Sequence, residues 1–306
     1  MKVIVVGLGV QGYKRRLHAG EDFVAAVDPV NKDAEYKNIQ DVPLNEYDAV
    51  LACIPDKPKY DIIKYCLENK KHILVEKPLW VEDRSNIKYL EELAIANKVL
   101  CYTAYNHRFE PHFVKMKELI ASSELGEIYS CRMFYGNGTA RLVKDSVWRD
   151  KGAGVLPDLG SHLLDTCRFW FGNALVDFHL NAVHRFENLS PDHVVISSEK
   201  NHPRIELEMT LCMWRNHFTC DILAEKGTAH IESLCKWGPS TFTHRKRVIP
   251  SGRPEEKQIT LIEPDPTWAI EYQNFKKMVE LSTVTDLSED IWLNDQLSRL
   301  SNLALK

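Results

Sequence analysis

Met1-Lys2-Val3-Ile4-Val5-Val6-Gly7-Leu8-Gly9-Val10-Gln11-Gly12 is the stretch whose reading decides the fold. The β-branched run Val3 to Val6 has strand character and ends directly on a G-x-G-x-x-G turn. In such a turn Gly7 permits the tight bend, Gly9 lets the backbone approach a pyrophosphate, and Gly12 lets the next helix lie close on the sheet. The N–H groups at the start of that helix then face the phosphates. Because glycine-rich turns mimic the pattern, its surroundings matter. A second apolar run, Phe23 to Val27, ends in Asp28, about 20 residues past the first glycine, where a carboxylate can hydrogen-bond a ribose 2′-hydroxyl. Gly7, Leu8, Gly9, Val10, Gln11, Gly12 and Asp28 are therefore expected to hold a dinucleotide.

Asp28 also bears on which dinucleotide is held. A carboxylate repels a 2′-phosphate, and Pro29 follows it in place of an arginine, which favours NAD over NADP. The alternative is that Asp28 caps the following turn. Lys14, Arg15 and Arg16 fall on the first helix and read as a solvated face rather than a phosphate clamp.

A length of 306 residues suits two domains, and 44% apolar content allows a substantial core. The net charge of −4 gives no footing for a nucleic-acid surface. Eight cysteines stand singly, without CxxC pairs or zinc spacing, which suits reduced thiols. No apolar run reaches membrane-spanning length and no secretory leader is evident, so a cytoplasmic protein without membrane contact is expected.

The first hundred residues alternate strands near 49–54, 73–76 and 99–103 with helical patterns near 58–70 and 83–97, the order of a doubly wound parallel sheet. Between Asp28 and Tyr47 the chain is short and polar. That abbreviates the helix usual there and is expected to leave the adenine side more open. After about residue 122, period-two strands recur at 128–135, 175–185, 193–198, 205–213 and 218–225, which reads as an antiparallel sheet. Helices are expected near 157–171, 268–281 and 289–305. The expected fold is α/β, with a dinucleotide-binding domain over 1–121 and an α+β domain over 122–306.

Two further motifs make the chemistry specific. Val75-Glu76-Lys77-Pro78 ends the fourth strand, at the sheet edge where ligands of doubly wound folds bind. A lysine there can hold a substrate oxygen and stabilise charge developing on it. In the second, residues 151–165, a glycine-rich loop opens a helix in which Asp158, His162 and Asp165 fall at i, i+4 and i+7 and share a face. Tyr105, Asn106 and Arg108 read as lining the crevice. Trp148 either borders the substrate or sits in an ordinary loop. Trp170, Trp214 and Trp268 read as core or interface residues.

With the glycine turn, Glu76-Lys77-Pro78, Tyr105-Asn106-His107-Arg108-Phe109-Glu110-Pro111 and Asp158-x-Gly160-x-x-x-x-Asp165, the chain resembles the glucose-fructose oxidoreductase, inositol dehydrogenase and MocA family over essentially its whole length. The resemblance implies a Rossmann domain, a second domain with a large, mostly antiparallel sheet used for homodimer or homotetramer contacts, and pyridine-nucleotide oxidoreduction of a sugar or cyclitol. It places catalytic roles on Lys77, Asp158 and His162 and cofactor contacts on Cys53, Ile54, Pro55, Glu76, Lys77 and Asn106. Substrate contacts fall on Lys77, Tyr105, Arg108, Trp148, Asp158, His162 and Asp165. Three positions depart from the family pattern: Lys59 where a histidine is frequent, Lys70 where a glycine usually precedes Lys71-His72, and the shortened stretch after Asp28.

The expected reaction is oxidation of a secondary alcohol of a sugar, sugar nucleotide or cyclitol. His162 takes the hydroxyl proton, Lys77 steadies the oxygen and Asp158 tunes the pair. A metal held by Asp158, His162 and Asp165 is not expected, because no other ligand cluster accompanies them. Two alternatives remain open: an enzyme that uses tightly bound NAD transiently for elimination or glycoside cleavage, and a non-catalytic NAD-binding regulator.

Overall fold

Strand β1 (Val3–Val6) consists of β-branched residues buried on both faces, as a central strand of a parallel sheet requires. In the computed structural model, which describes residues 1–79, 81, 83–146, 149–172, 177–198 and 203–306, β1 pairs in parallel with β2 (Phe23–Val27) and β3 (Ala49–Ala52). Strands β4 (His72–Glu76) and β5 (Cys101–Ala104) extend the sheet in the order β2-β1-β3-β4-β5. Side-chain alternation sends Val3 and Val5 to one face and Ile4 and Val6 to the other. The first face packs on Ala19 of helix α1 (Val10–Ala19) and on Tyr272 and Phe275 of α7 (Thr267–Glu280). The second packs on Ile63 and Leu67 of α2 (Asp56–Glu68) and on Ile87 and Leu90 of α3 (Arg84–Asn97). The parallel sheet is Rossmann-like, as the glycine turn led one to expect.

No helix fills the stretch after Asp28 except one 3₁₀ turn, Ile39–Asp41. Side chains tie this stretch to the glycine turn and to α1. Asn31 donates its side-chain amide to the Leu8 carbonyl at 2.7 Å, and Tyr13 donates its hydroxyl to Asp33 at 2.6 Å. A parallel bridge joins Val27 to Tyr36.

Among the described residues, the second sheet has eight strands in the order β13-β12-β11-β10-β6-β9-β8-β7. They are β6 (Ile128–Gly136), β7 (His179–His184), β8 (His193–Ser198), β9 (Arg204–Thr210), β10 (His217–Ala224), β11 (Gly227–Glu232), β12 (Ser240–Lys246) and β13 (Glu256–Leu261). All neighbours run antiparallel except β6 and β9. Residue 175, where a strand was expected to begin, lies outside the described residues. Helices α4 (Pro111–Ala121), α5 (Ala140–Lys144) and α6 (Ser161–Phe171) belong with this sheet.

By contacts the chain divides into one unit of residues 1–106 and 267–295 and another of 107–266 and 296–306. The division expected after residue 121 differs for two physical reasons. Phe113 of α4 packs with ring centroids 5.2 Å from Trp170 and 5.0 Å from Phe218, both in the second unit. Tyr272 and Phe275 of α7 complete the core of the first. The last helix, α8 (Ser288–Ala304), gives residues to both units. Among the described residues, no helix is long and apolar enough to cross a membrane.

Candidate active site

The glycine turn fits a dinucleotide on this structure's own geometry. Gly7 has φ +90°, and a Cβ there would lie 2.3 Å from the Cys53 carbonyl oxygen, so only glycine fits. Around Gly9, by contrast, a Cβ would meet nothing within 4 Å, leaving the backbone open to a ligand. Neither a capping side chain nor an acidic residue occupies the first turn of α1, whose N–H groups thus keep their attraction for phosphate. Cys53, Ile54 and Pro55 follow β3 at the same sheet edge, and Pro55 is the N-cap of α2.

Asp28 does cap the turn that follows it, with one oxygen, while the other holds the glycine turn. Oδ2 accepts the Leu8 N–H at 2.8 Å, while Oδ1 accepts those of Val30 at 2.8 Å and Asn31 at 2.7 Å. Burial opposes the charge, but these N–H donors outweigh it and hold the carboxyl below its usual range. A carboxylate has about four acceptor positions, so capping leaves room for a ribose hydroxyl.

Arg15 is not part of a solvated face. It is 1% exposed, and its Nη2 lies 2.7 Å from Glu76 Oε1 and 2.7 Å from Glu271 Oε2, with the Trp268 ring 4.3 Å from the guanidinium carbon. Burial works against this cation, and the two carboxylates overcome it. The carboxylate of Glu76, expected at the cofactor, is thus taken up in holding Arg15. Lys59 is equally committed. Its buried ammonium donates to Asp56 Oδ1 at 2.7 Å and to the Pro78 carbonyl at 2.6 Å, bracing the loop that carries Lys77. Asn106 donates to Thr267 Oγ1 at 2.8 Å. Tyr105, expected to contact substrate, is buried just after β5.

In the second unit the glycine-rich loop turns at Gly154, φ +59°, where a Cβ would lie 1.9 Å from the Pro191 carbonyl oxygen. Asp158 follows in a π turn, Leu156–Gly160, which runs into α6, so the expected single α-helical face is replaced by a change of pitch. Ser161 donates its hydroxyl to the Pro157 carbonyl at 2.8 Å across that change. His162, one turn on, is buried and stacks on His107 with centroids 4.0 Å apart and planes 19° from parallel. Tyr135 lies tilted against both rings, at 5.6 Å from His107 and 6.2 Å from His162. Lys236 reaches His107 Nε2 and Tyr135 Oη, each at 3.3 Å.

Asp165 is fully buried and grips Arg108, whose Nε lies 3.0 and 3.1 Å from its two oxygens. Its place is therefore as the anchor of Arg108. Asp150 accepts the Leu189 and Ser190 N–H groups and so shapes a turn. Trp148 lies outside the described residues, and Trp214 is 102% exposed, not in the core.

Residues 1–105 match the oxidoreductase family with an NAD-binding Rossmann fold, and residues 113–230 match the GFO/IDH/MocA C-terminal domain. The chain belongs to the GFO/IDH/MocA family. Its first unit is accordingly an NAD-binding Rossmann domain. Inositol 2-dehydrogenase 3 of Saccharopolyspora erythraea is 22% identical over 209 residues, 66% of this chain and 60% of that protein. The myo-inositol 2-dehydrogenase of Thermotoga maritima is 31% identical over 125 residues, 41% of this chain and 36% of that one. This chain therefore matches less than two thirds of the length of either. Levoglucosan dehydrogenase, solved with NADH and L-sorbose, shares the fold, with a TM-score of 0.82 at 16% identity over 99% of this chain and 97% of that one.

Several polar groups of this GFO/IDH/MocA chain escaped sequence reasoning. His107 and Glu110 stand inside the quoted Tyr105-to-Pro111 motif, so a signal for them existed. Arg15 follows Gly12 by three residues and thus shares its sheet-facing side of α1, which could have marked it. Tyr135, Lys236 and Glu271 sit in no motif, and only the fold brings them to their partners.

Proposed function

We propose that this protein is an NAD-dependent dehydrogenase that moves hydride between nicotinamide and a secondary alcohol of a sugar, sugar nucleotide or cyclitol. The observation that carries this reading is that Lys77 leaves β4 at the carboxyl edge of the same parallel sheet from which the glycine turn leaves β1. When bound, the cofactor supplies the hydride acceptor. Lys77 holds the substrate oxygen and stabilises the charge that grows on it. His162 accepts the hydroxyl proton, a role that suits imidazole near neutral pH. Asp158 tunes that transfer. The charged, capped Asp28 supports NAD over NADP, and the names of the two inositol dehydrogenase relatives support the cyclitol end of the substrate range.

The test is a rate survey over polyols, sugars and sugar nucleotides with NAD and with NADP, repeated on Lys77→Ala. The variant should bind NAD almost as tightly as the wild type while kcat drops about 10²-fold or more. Unchanged turnover removes Lys77 from the mechanism. Tighter binding of NADP than of NAD overturns the reading of Asp28, and cleavage products without NADH release overturn the dehydrogenase.

A further inference from the structure

His107 and His162 lie face to face, and a third group decides how many protons the two rings can hold. Lys236 approaches His107 Nε2 to 3.3 Å and Tyr135 Oη to 3.3 Å. An ammonium offers donors and no lone pair. Nε2 must therefore accept, which leaves the one ring proton of His107 on Nδ1 and the ring uncharged. Protonation of Nε2 would break this hydrogen bond and set a second cation against the ammonium. The face that His107 turns to His162 is then a neutral π surface 4.0 Å away, against which a protonated ring can rest.

We propose that Lys236 and His107 are positioning residues for the proton transfer: Lys236 locks His107 as the neutral Nδ1–H tautomer, so that the stacked pair takes a single proton and takes it on His162. This rests on the reading of His162 as the acceptor of the hydroxyl proton. Among the charged and titratable groups around the pair are Lys236, Tyr135 on β6, Glu110 ahead of α4, Asp158 in the π turn and Asp265, with the Arg108–Asp165 ion pair one residue from His107 and three from His162 in sequence. Burial lowers the pKa of Lys236, and the nearby carboxylates of Glu110, Asp265 and Asp158 oppose that fall. Burial, then Asp158 and Glu110, raises that of Tyr135 and keeps its hydroxyl neutral. The carboxylates favour the protonated pair and Lys236 disfavours it. Removing Lys236 therefore frees His107 to take a proton and raises the pH at which the pair gives one up.

The full-length protein, labelled with ¹³C and ¹⁵N in histidine and titrated without substrate or cofactor, reports the tautomer and charge of each ring by NMR. His107→Gln and His162→Asn assign the signals. In the wild type His107 should be the Nδ1–H tautomer and stay uncharged across the range where free histidine titrates, while His162 titrates. In Lys236→Met, His107 should titrate, and the acidic limb of alcohol oxidation against pH should move up by about one unit. Lys236→Arg, which keeps a cationic donor, should hold the wild-type tautomer. An Nε2–H or titrating His107 in the wild type overturns the proposal, as does an unchanged His107 spectrum in a folded Lys236→Met. Should Lys236→Met fail to fold, the wild-type tautomer decides. If no alcohol is oxidised, the function falls while the spectra still decide the lock.

Discussion

Lys70 holds a backbone angle, φ +57°, that costs a side-chain-bearing residue about 1 kcal/mol and glycine nothing of the kind. It follows α2, and its N–H closes the last turn on the Leu67 carbonyl at 3.1 Å. Exposed and distant from any proposed chemistry, it offers a clean measurement: Lys70→Gly should raise unfolding free energy by about 0.5–1 kcal/mol in a urea melt, with rates untouched. A midpoint that stays or falls would show that the lysine side chain compensates for the angle. The sequence revealed position 70 as a departure from family habit, but the handedness of its backbone became visible only in the fold. Asp28 teaches a related lesson. Ribose binding and turn capping read as alternatives in the sequence, yet a carboxylate has enough lone pairs for both. Arg15 is hidden for another reason: three consecutive cations look alike in sequence, and only the phase of α1 against the sheet selects which one is buried.

Helix α7 shows what an element can do far from its place in sequence. Its first turns deliver Thr267, Trp268 and Glu271 to the glycine-turn unit, and its middle delivers Tyr272 and Phe275 to that unit's core. Arg15→Met would strand two carboxylates, Glu76 and the fully buried Glu271, and should cost about 3–5 kcal/mol. Arg15→Met combined with Glu271→Leu should recover much of that loss, because it removes the fully buried carboxylate and leaves only Glu76, whose side chain keeps some contact with water. Simple additivity in thermal unfolding would show that the three charges do not act as a network. Elements with strong apolar alternation were readable from sequence, and 193–198 coincides with β8. The strands β11, β12 and β13 were not, since β13 is almost wholly exposed and the other two carry few apolar inward residues. The π turn at Asp158 was equally hidden: Pro157 and Ser161 are compatible with an ordinary helix start, and the pitch is set by packing.

At the scale of the whole chain, the first unit is built from both ends of the sequence. A protein ended after Pro266 retains the whole stretch 1–105 that matches the NAD-binding family, and it lacks Glu271, Tyr272 and Phe275. It should lose NAD binding by calorimetry and expose apolar surface to a reporter dye. Native affinity in the shortened chain would show that α7 is an accessory. The order of strands and the glycine turn were legible because local patterns encode them. The return of α7 was not, because nothing in its own fourteen residues says which sheet it will cover. That return also sets a timetable for synthesis. Chains leave the ribosome at about 5–20 residues per second, so the stretch between Asn106 and Thr267 takes on the order of 10 s to emerge. During that interval five parallel strands are present without the aromatic residues that seal one of their faces. The unit that begins first thus waits until nearly the end of synthesis for its own core residues, and a nascent chain stalled near residue 266 is the form most in need of a chaperone.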